Sequence, residues 1–180
     1  MSEFANPVGA AEAHAASYTA SVIEALAGRD PLAVLREMPE SLAAAIADVP
    51  THLLGVPEAP GKWSIRQVIQ HLADSELVGG NRFRMVMTQD RPALAGYDQD
   101  LWAERLRYSK SNVDQALEEF TSLRRANVRL FEQASDADLA RVGLHSERGE
   151  ESLGFMLKLY AGHDIVHLRQ IARIRNAVGR

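Results

Sequence analysis

The chain of 180 residues contains no cysteine, which excludes a disulfide scaffold, a thiolate metal site and a cysteine nucleophile. It also lacks any run of about 18 apolar residues, so no segment is expected to span a membrane. Neither sign of charge dominates. The 20 basic and 24 acidic side chains leave a net charge of −4, a poor balance for a general nucleic-acid binder. Residues 1–9 lack the basic start and apolar stretch of a secretory signal, which makes cytoplasmic residence the expectation. Period-two alternation over strand length is missing, as is any internal repeat. What is present is a hydrophobic content of 46%, enough to exclude disorder as the main state and to build one core.

Alanine, leucine, glutamate and arginine dominate, and the segments between turn signals read as helices with no strands. A first helix is expected over 10–27, closed by Gly28. Asp30-Pro31 starts the next, as N-cap and first helical residue, and Pro39 is expected to break or kink it. Prolines and glycines make 50–62 a loop. Ser64 and Gln67 form a capping box for a long helix to about Thr88. A short helix over 98–107 follows, then one started by Ser111 with Asp114 and running to Ala134, then a single turn at Ser135. Residues 141–150 read as a polar loop with room for a short hairpin. Glu151 or Ser152 opens a last helix to about Val178. Trp63 is expected to pack as a hydrophobic staple, and Tyr97 and Trp102 to pack beneath the loop after the Ser64 helix. The arginines at 169, 173, 175 and 180 suit a helix C-terminus, where the macrodipole favours cations. Four long helices joined by loops of uneven length argue an all-α helical bundle.

Three of the six histidines stand out. His163 and His167 are spaced i, i+4 within an apolar stripe of the last helix, which puts two imidazoles on one face about one turn apart. His71 lies beside Val68, Ile69 and Leu72 on the Ser64 helix, with Asp74 three residues on. Bundles build metal sites from facing helices, and three neutral histidines leave coordination positions open, as catalytic sites do. Three buried, hydrogen-bonded core histidines are the alternative on pattern alone. His14, His52 and His145 fall in a soft terminus or in loops and read as solvated.

The residues Gly61-Lys62-Trp63-Ser64-Ile65-Arg66-Gln67-Val68 and His71-Leu72-Ala73-Asp74-Ser75-Glu76 resemble the DinB/YfiT superfamily, in its YfiT-like branch. So do Arg82-Phe83, Gly96-Tyr97-Asp98 with Trp102, and His163-Asp164-Ile165-Val166-His167. The likeness covers roughly residues 31–178 and leaves residues 1–29 as an extension, expected to be helical, ahead of a bundle domain over 30–180. It implies an up-down-down-up four-helix bundle, often dimeric, with a divalent metal, usually nickel or zinc, held by His71, His163 and His167. It further implies a thiol S-transferase or isomerase that uses a low-molecular-weight thiol such as bacillithiol or mycothiol.

Three functions follow as expectations. In the first, an external thiol is deprotonated at the open metal position, with Arg82 or Asn81 holding an anionic part of thiol or substrate and Tyr97 lining the mouth. Asp74 then orients His71 or acts as a base. In the second, a metal-dependent hydrolase, the metal activates water and Asp74 or Glu76 assists. In the third, the metal only stabilises a bundle that binds a partner or dimerises.

Overall fold

The computed structural model describes residues 12–179, with side chains from residue 17 onward. Residues 1–11 and the side chain of His14 lie outside the described residues. Seven helices follow in order: α1 (Glu12–Glu24), α2 (Pro31–Ile46), α3 (Ile65–Thr88), α4 (Gln99–Arg105), α5 (Val113–Gln133), the single turn α6 (Asp136–Leu139) and α7 (Leu153–Val178). None is long and apolar enough to cross a membrane.

Local sequence explains where the helices start. The Asp30 carboxylate accepts from the Leu32 and Ala33 N–H groups, with Pro31 in the first turn of α2. Both halves of the Ser64–Gln67 capping box form at α3. At α5 the cap is Asn112 and not Ser111, because the Asn112 amide oxygen accepts from the Asp114 and Gln115 N–H groups. Ser152 caps α7.

The break expected at Pro39 does not occur, since α2 runs through it to Ile46. A proline inside a helix leaves the carbonyl four residues earlier without its donor. That carbonyl belongs to Leu35, and the buried guanidinium of Arg124 donates to it at 3.2 Å. A partner from α5 thus replaces the bond that Pro39 removes.

Helices α2, α3, α5 and α7 make the bundle. Arg175, late in α7, donates to the Ala45 carbonyl late in α2, so these two run parallel. Arg36, early in α2, pairs with Glu132 at the end of α5, so those two are antiparallel. Glu76 meets Arg124 and Arg84 meets Asn127, which makes α3 and α5 parallel. His71 meets His163 and Phe83 meets Tyr160, so α3 opposes α7. The order is up-down-down-up. Helix α1 lies against α7, where Gly162 lets the backbones touch. A Cβ at Gly162 would sit 2.0 Å from the Val22 carbonyl oxygen.

A minor sheet accompanies the helices, and its hairpin falls where residues 141–150 had room for one. β1 (Ala93–Leu94) pairs parallel with β2 (Val142–His145), which pairs antiparallel with β3 (Gly149–Ser152). Runs of two to four residues are too short to register as alternation. Gly149, at a φ of +77°, closes the turn of the β2–β3 hairpin, which occupies the segment read as a polar loop.

Two apolar clusters fill the bundle. One holds Leu35, Phe83, Phe131 and Met156; the other holds Leu42, Ile69, Phe120 and Ile171. Along α3, α5 and α7 a buried polar layer separates them: His71 and Glu76 on α3, Arg124 and Asn127 on α5, Asp164, His167 and Gln170 on α7. Arg124 binds Asp164 through two bonds of 2.5 and 3.0 Å, and Glu76 at 2.8 Å, and stacks over Phe120. Removing one partner of such a buried set strands the opposite charges, at a cost of about 3–5 kcal/mol. Arg124→Met is therefore expected to lose about that much stability in urea unfolding. Arg36→Met, which breaks the exposed pair with Glu132, is expected to lose under about 1 kcal/mol. Equal losses would contradict this reading of the polar layer.

Candidate metal centre

Helices α3 and α7 bring His71, His163 and His167 together, and the three ligand-capable nitrogens lie within 4.8 Å of one another. The Nε2 atoms of His163 and His167 are 3.0 Å apart, and those of His71 and His163 are 3.2 Å apart. A tetrahedral ion with metal–nitrogen bonds of about 2.0–2.1 Å needs an edge of about 3.3 Å between ligand nitrogens, so these spacings fit one. His71 and His167 are buried, while His163 is partly open.

The protonation of the rings also suits a cation. His167 is expected to carry its proton on Nδ1, donated to Gln170 Oε1 at 2.7 Å, which leaves Nε2 bare toward the centre. Burial pushes the His167 pKa down to about 4, against a smaller upward pull from Gln170. Burial, with the neighbouring rings, holds His71 and His163 well below the ordinary histidine range. At neutral pH all three are uncharged. Among neutral rings at most one of these two contacts can be a hydrogen bond, so the other nitrogen pair meets without one. A divalent cation relieves that contact.

The other expected site residues divide. Arg82 is 6% exposed and its guanidinium donates to the Ala95 carbonyl. It lines a pocket together with Ser75, Tyr97, His145, Tyr160 and His163. Tyr97 is in this pocket and packs on Trp102 at 4.4 Å between ring centroids. Asn81 is outside the pocket lining; it is exposed and donates to the Met85 sulfur, because its place on α3 turns it from the pocket. Asp74 accepts from the Tyr108 hydroxyl at 2.5 Å and from Gln70, and not from His71, whose buried Nδ1 has no hydrogen-bond partner. Glu76 is held by Arg124 and Asn127. Trp63 is buried with its ring 5.1 Å from that of His71.

Against this geometry the comparisons are decisive. The sequence profile of the DinB superfamily matches residues 34–171. The chain belongs to the DinB superfamily. A protein of Bacillus mycoides is 36% identical over 141 residues, covering 78% of this chain and 81% of the relative. A Bacillus cereus protein is 33% identical over the same shares. Both carry the provisional name of metal-dependent hydrolase. Among solved structures, YfiT from Bacillus subtilis superposes with a TM-score of 0.78 at 27% identity, over 83% of this chain and 86% of that one. It is described as "a probable metal-dependent hydrolase with an unusual four-helix bundle topology".

Two members of this DinB site escaped the sequence reading. Gln170 was within reach, since a polar residue three positions after a ligand histidine shares its helical face. His145, read as solvated, is 4% exposed, because the pairing of β1 with β2 sets it beside Leu94 and in the pocket wall. His52 is exposed, as read. Removing the group that orients a ligand histidine costs about 10–100-fold in metal affinity. Gln170→Ala is expected to weaken metal binding by that factor in competition with a chromophoric chelator. An unchanged affinity would remove Gln170 from the centre.

Proposed function

We propose that this DinB protein is a metal-dependent hydrolase in which His71, His163 and His167 hold one divalent cation, nickel or zinc, and the pocket beside His163 receives the substrate. The observation that carries the reading is the convergence of three uncharged histidines, with Nε2–Nε2 separations of 3.0 and 3.2 Å near the edge length of a tetrahedral ion, beside that pocket. Imidazole suits both metals, and three protein ligands leave coordination open. Bound there, the cation supplies Lewis acidity and lowers the pKa of a coordinated water or thiol.

The chain's own groups do the rest. Gln170 holds the His167 ring in one tautomer. Burial raises the pKa of Tyr160, so its hydroxyl stays protonated beside the reacting centre. Burial pushes Tyr18, at the pocket edge, up to about 12. The pocket therefore presents protonated phenols, which donate hydrogen bonds to a developing oxyanion.

A second reading is favoured by one observation. Asp74 and Glu76 are both engaged elsewhere, which leaves neither of the expected bases at the centre. A nucleophile that loses its proton easily fits such a site, and a thiol, with a pKa near about 8.5, loses it far more readily than water. A low-molecular-weight thiol as co-substrate makes the protein an S-transferase.

A chelator-stripped preparation separates these readings. It is expected to cleave activated carboxylic esters only after nickel or zinc is restored, at a rate independent of added thiol, and His163→Ala is expected to fall to background. Turnover of an electrophile only with added thiol replaces hydrolysis by transfer. Metal-independent rates overturn both.

A further inference from the structure

Arg82 and His145 remain unexplained by a metal and a nucleophile. Arg82 is a buried guanidinium that donates to the Ala95 carbonyl, touches the Tyr160 hydroxyl and lies 6.0 Å from the centroid of the Tyr97 ring. Among the described residues no carboxylate pairs with it, whereas the neighbouring Arg148 is bound by Glu151 at 2.5 and 3.0 Å. Buried charges are ordinarily paired. In the same pocket wall, His145 Nδ1 accepts from the Glu147 N–H at 3.1 Å, which leaves the proton on Nε2. That buried Nε2 has no hydrogen-bond partner. An unpaired cation and an unpaired N–H thus line one pocket, together with His163.

We infer that this pocket is a carboxylate-recognition subsite, in which Arg82 and the Nε2–H of His145 hold the anionic end of the substrate and turn its other end toward His163. The second half rests on the function proposed above; the first does not. The charge count selects the ligand. The charge of Arg148 in the same lining is taken up by Glu151, so the one guanidinium of the lining without a carboxylate among the described residues matches a single negative charge. A carboxylate fits this balance and a phosphate dianion does not. The hydroxyls of Ser75, Tyr97 and Tyr160 supply further donors around it. Burial, and after it the charges of Arg148 and Arg82, depress His145 to a pKa of about 3, so His145 acts as a neutral donor.

The test uses the full-length protein carrying 15N-histidine, first as purified and again after chelator treatment. It is titrated with benzoate, with benzamide as the uncharged match, and with inorganic phosphate, while chloride holds the ionic strength. Benzoate is expected to shift the His145 Nε2 resonance saturably. Hydrogen bonds to a charged group contribute about 1.5–3 kcal/mol, so benzamide is expected to bind at least about tenfold more weakly, and phosphate, which brings up to two charges to one guanidinium, is expected to bind more weakly than benzoate. Arg82→Gln is expected to lose about the same factor, and Arg82→Lys to recover part of it. Because Arg82 is buried, the wild-type titration stands alone if Arg82→Gln does not fold. Benzoate no stronger than benzamide, an unmoved His145 resonance, or equal binding by Arg82→Gln overturns the subsite, and tighter binding of phosphate overturns the carboxylate assignment. A benzoate response that survives in a protein unable to take up metal keeps the subsite and removes the proposed function. Metal uptake without a benzoate response does the reverse.

Discussion

One guanidinium ties the bundle together. Arg124 projects from α5 and bonds to the Leu35 carbonyl of α2, to Glu76 of α3 and to Asp164 of α7, so all four bundle helices meet at a single side chain. The planar fork of an arginine fixes the direction of each bond. Burying such a charge is costly unless it is paired, and here two carboxylates and a carbonyl engage its two terminal nitrogens, while the buried Nε has no partner. Burial disfavours the charged form, but Asp164 and Glu76 outweigh it and keep the guanidinium ionised. The same burial pushes Asp164 above the ordinary carboxylate range, against the pull of Arg124.

The histidine centre inherits its register from this contact. Asp164 follows His163 directly, and successive helical residues point about 100° apart. With Asp164 directed at α5, His163 is left to face α3. On α3, Glu76 lies five residues beyond His71, so the bond from Arg124 to Glu76 also sets how far α3 slides along α7. The charged layer and the histidine layer are neighbours in one polar slab between two apolar clusters. The Pro39 anomaly belongs to the same slab, because the carbonyl it frees finds its donor in Arg124.

Much of this was legible from residues alone. The i, i+4 pair on an apolar stripe and the lone His71 on a capped helix marked the three histidines that the fold brings together, since helical periodicity fixes which side chains share a face. Caps at Asp30, Ser64 and Ser152 were visible because they depend on residues two or three positions away. What stayed hidden depends on distant partners. The carbonyl that Pro39 frees at Leu35 finds its donor in Arg124, 89 positions from Leu35. The burial of His145 needed a two-residue strand, β1, pairing with β2. Asp74 and Glu76 share α3 with His71, but Tyr108 and Arg124 claim them first. Asn81 and Arg82 are adjacent in sequence, and helical rotation alone sends one to the surface and the other into the pocket.

If the three histidines converge to hold a metal, the protein carries that metal in solution. The most direct test is metal content by mass spectrometry on untagged protein, beside a His71→Ala/His163→Ala variant checked for retained helicity. The account predicts about one nickel or zinc per chain in the wild type and none in the folded variant. A wild-type protein that carries no metal, and takes up neither ion when they are supplied, would contradict it and leave the three imidazoles as packing groups in the polar slab.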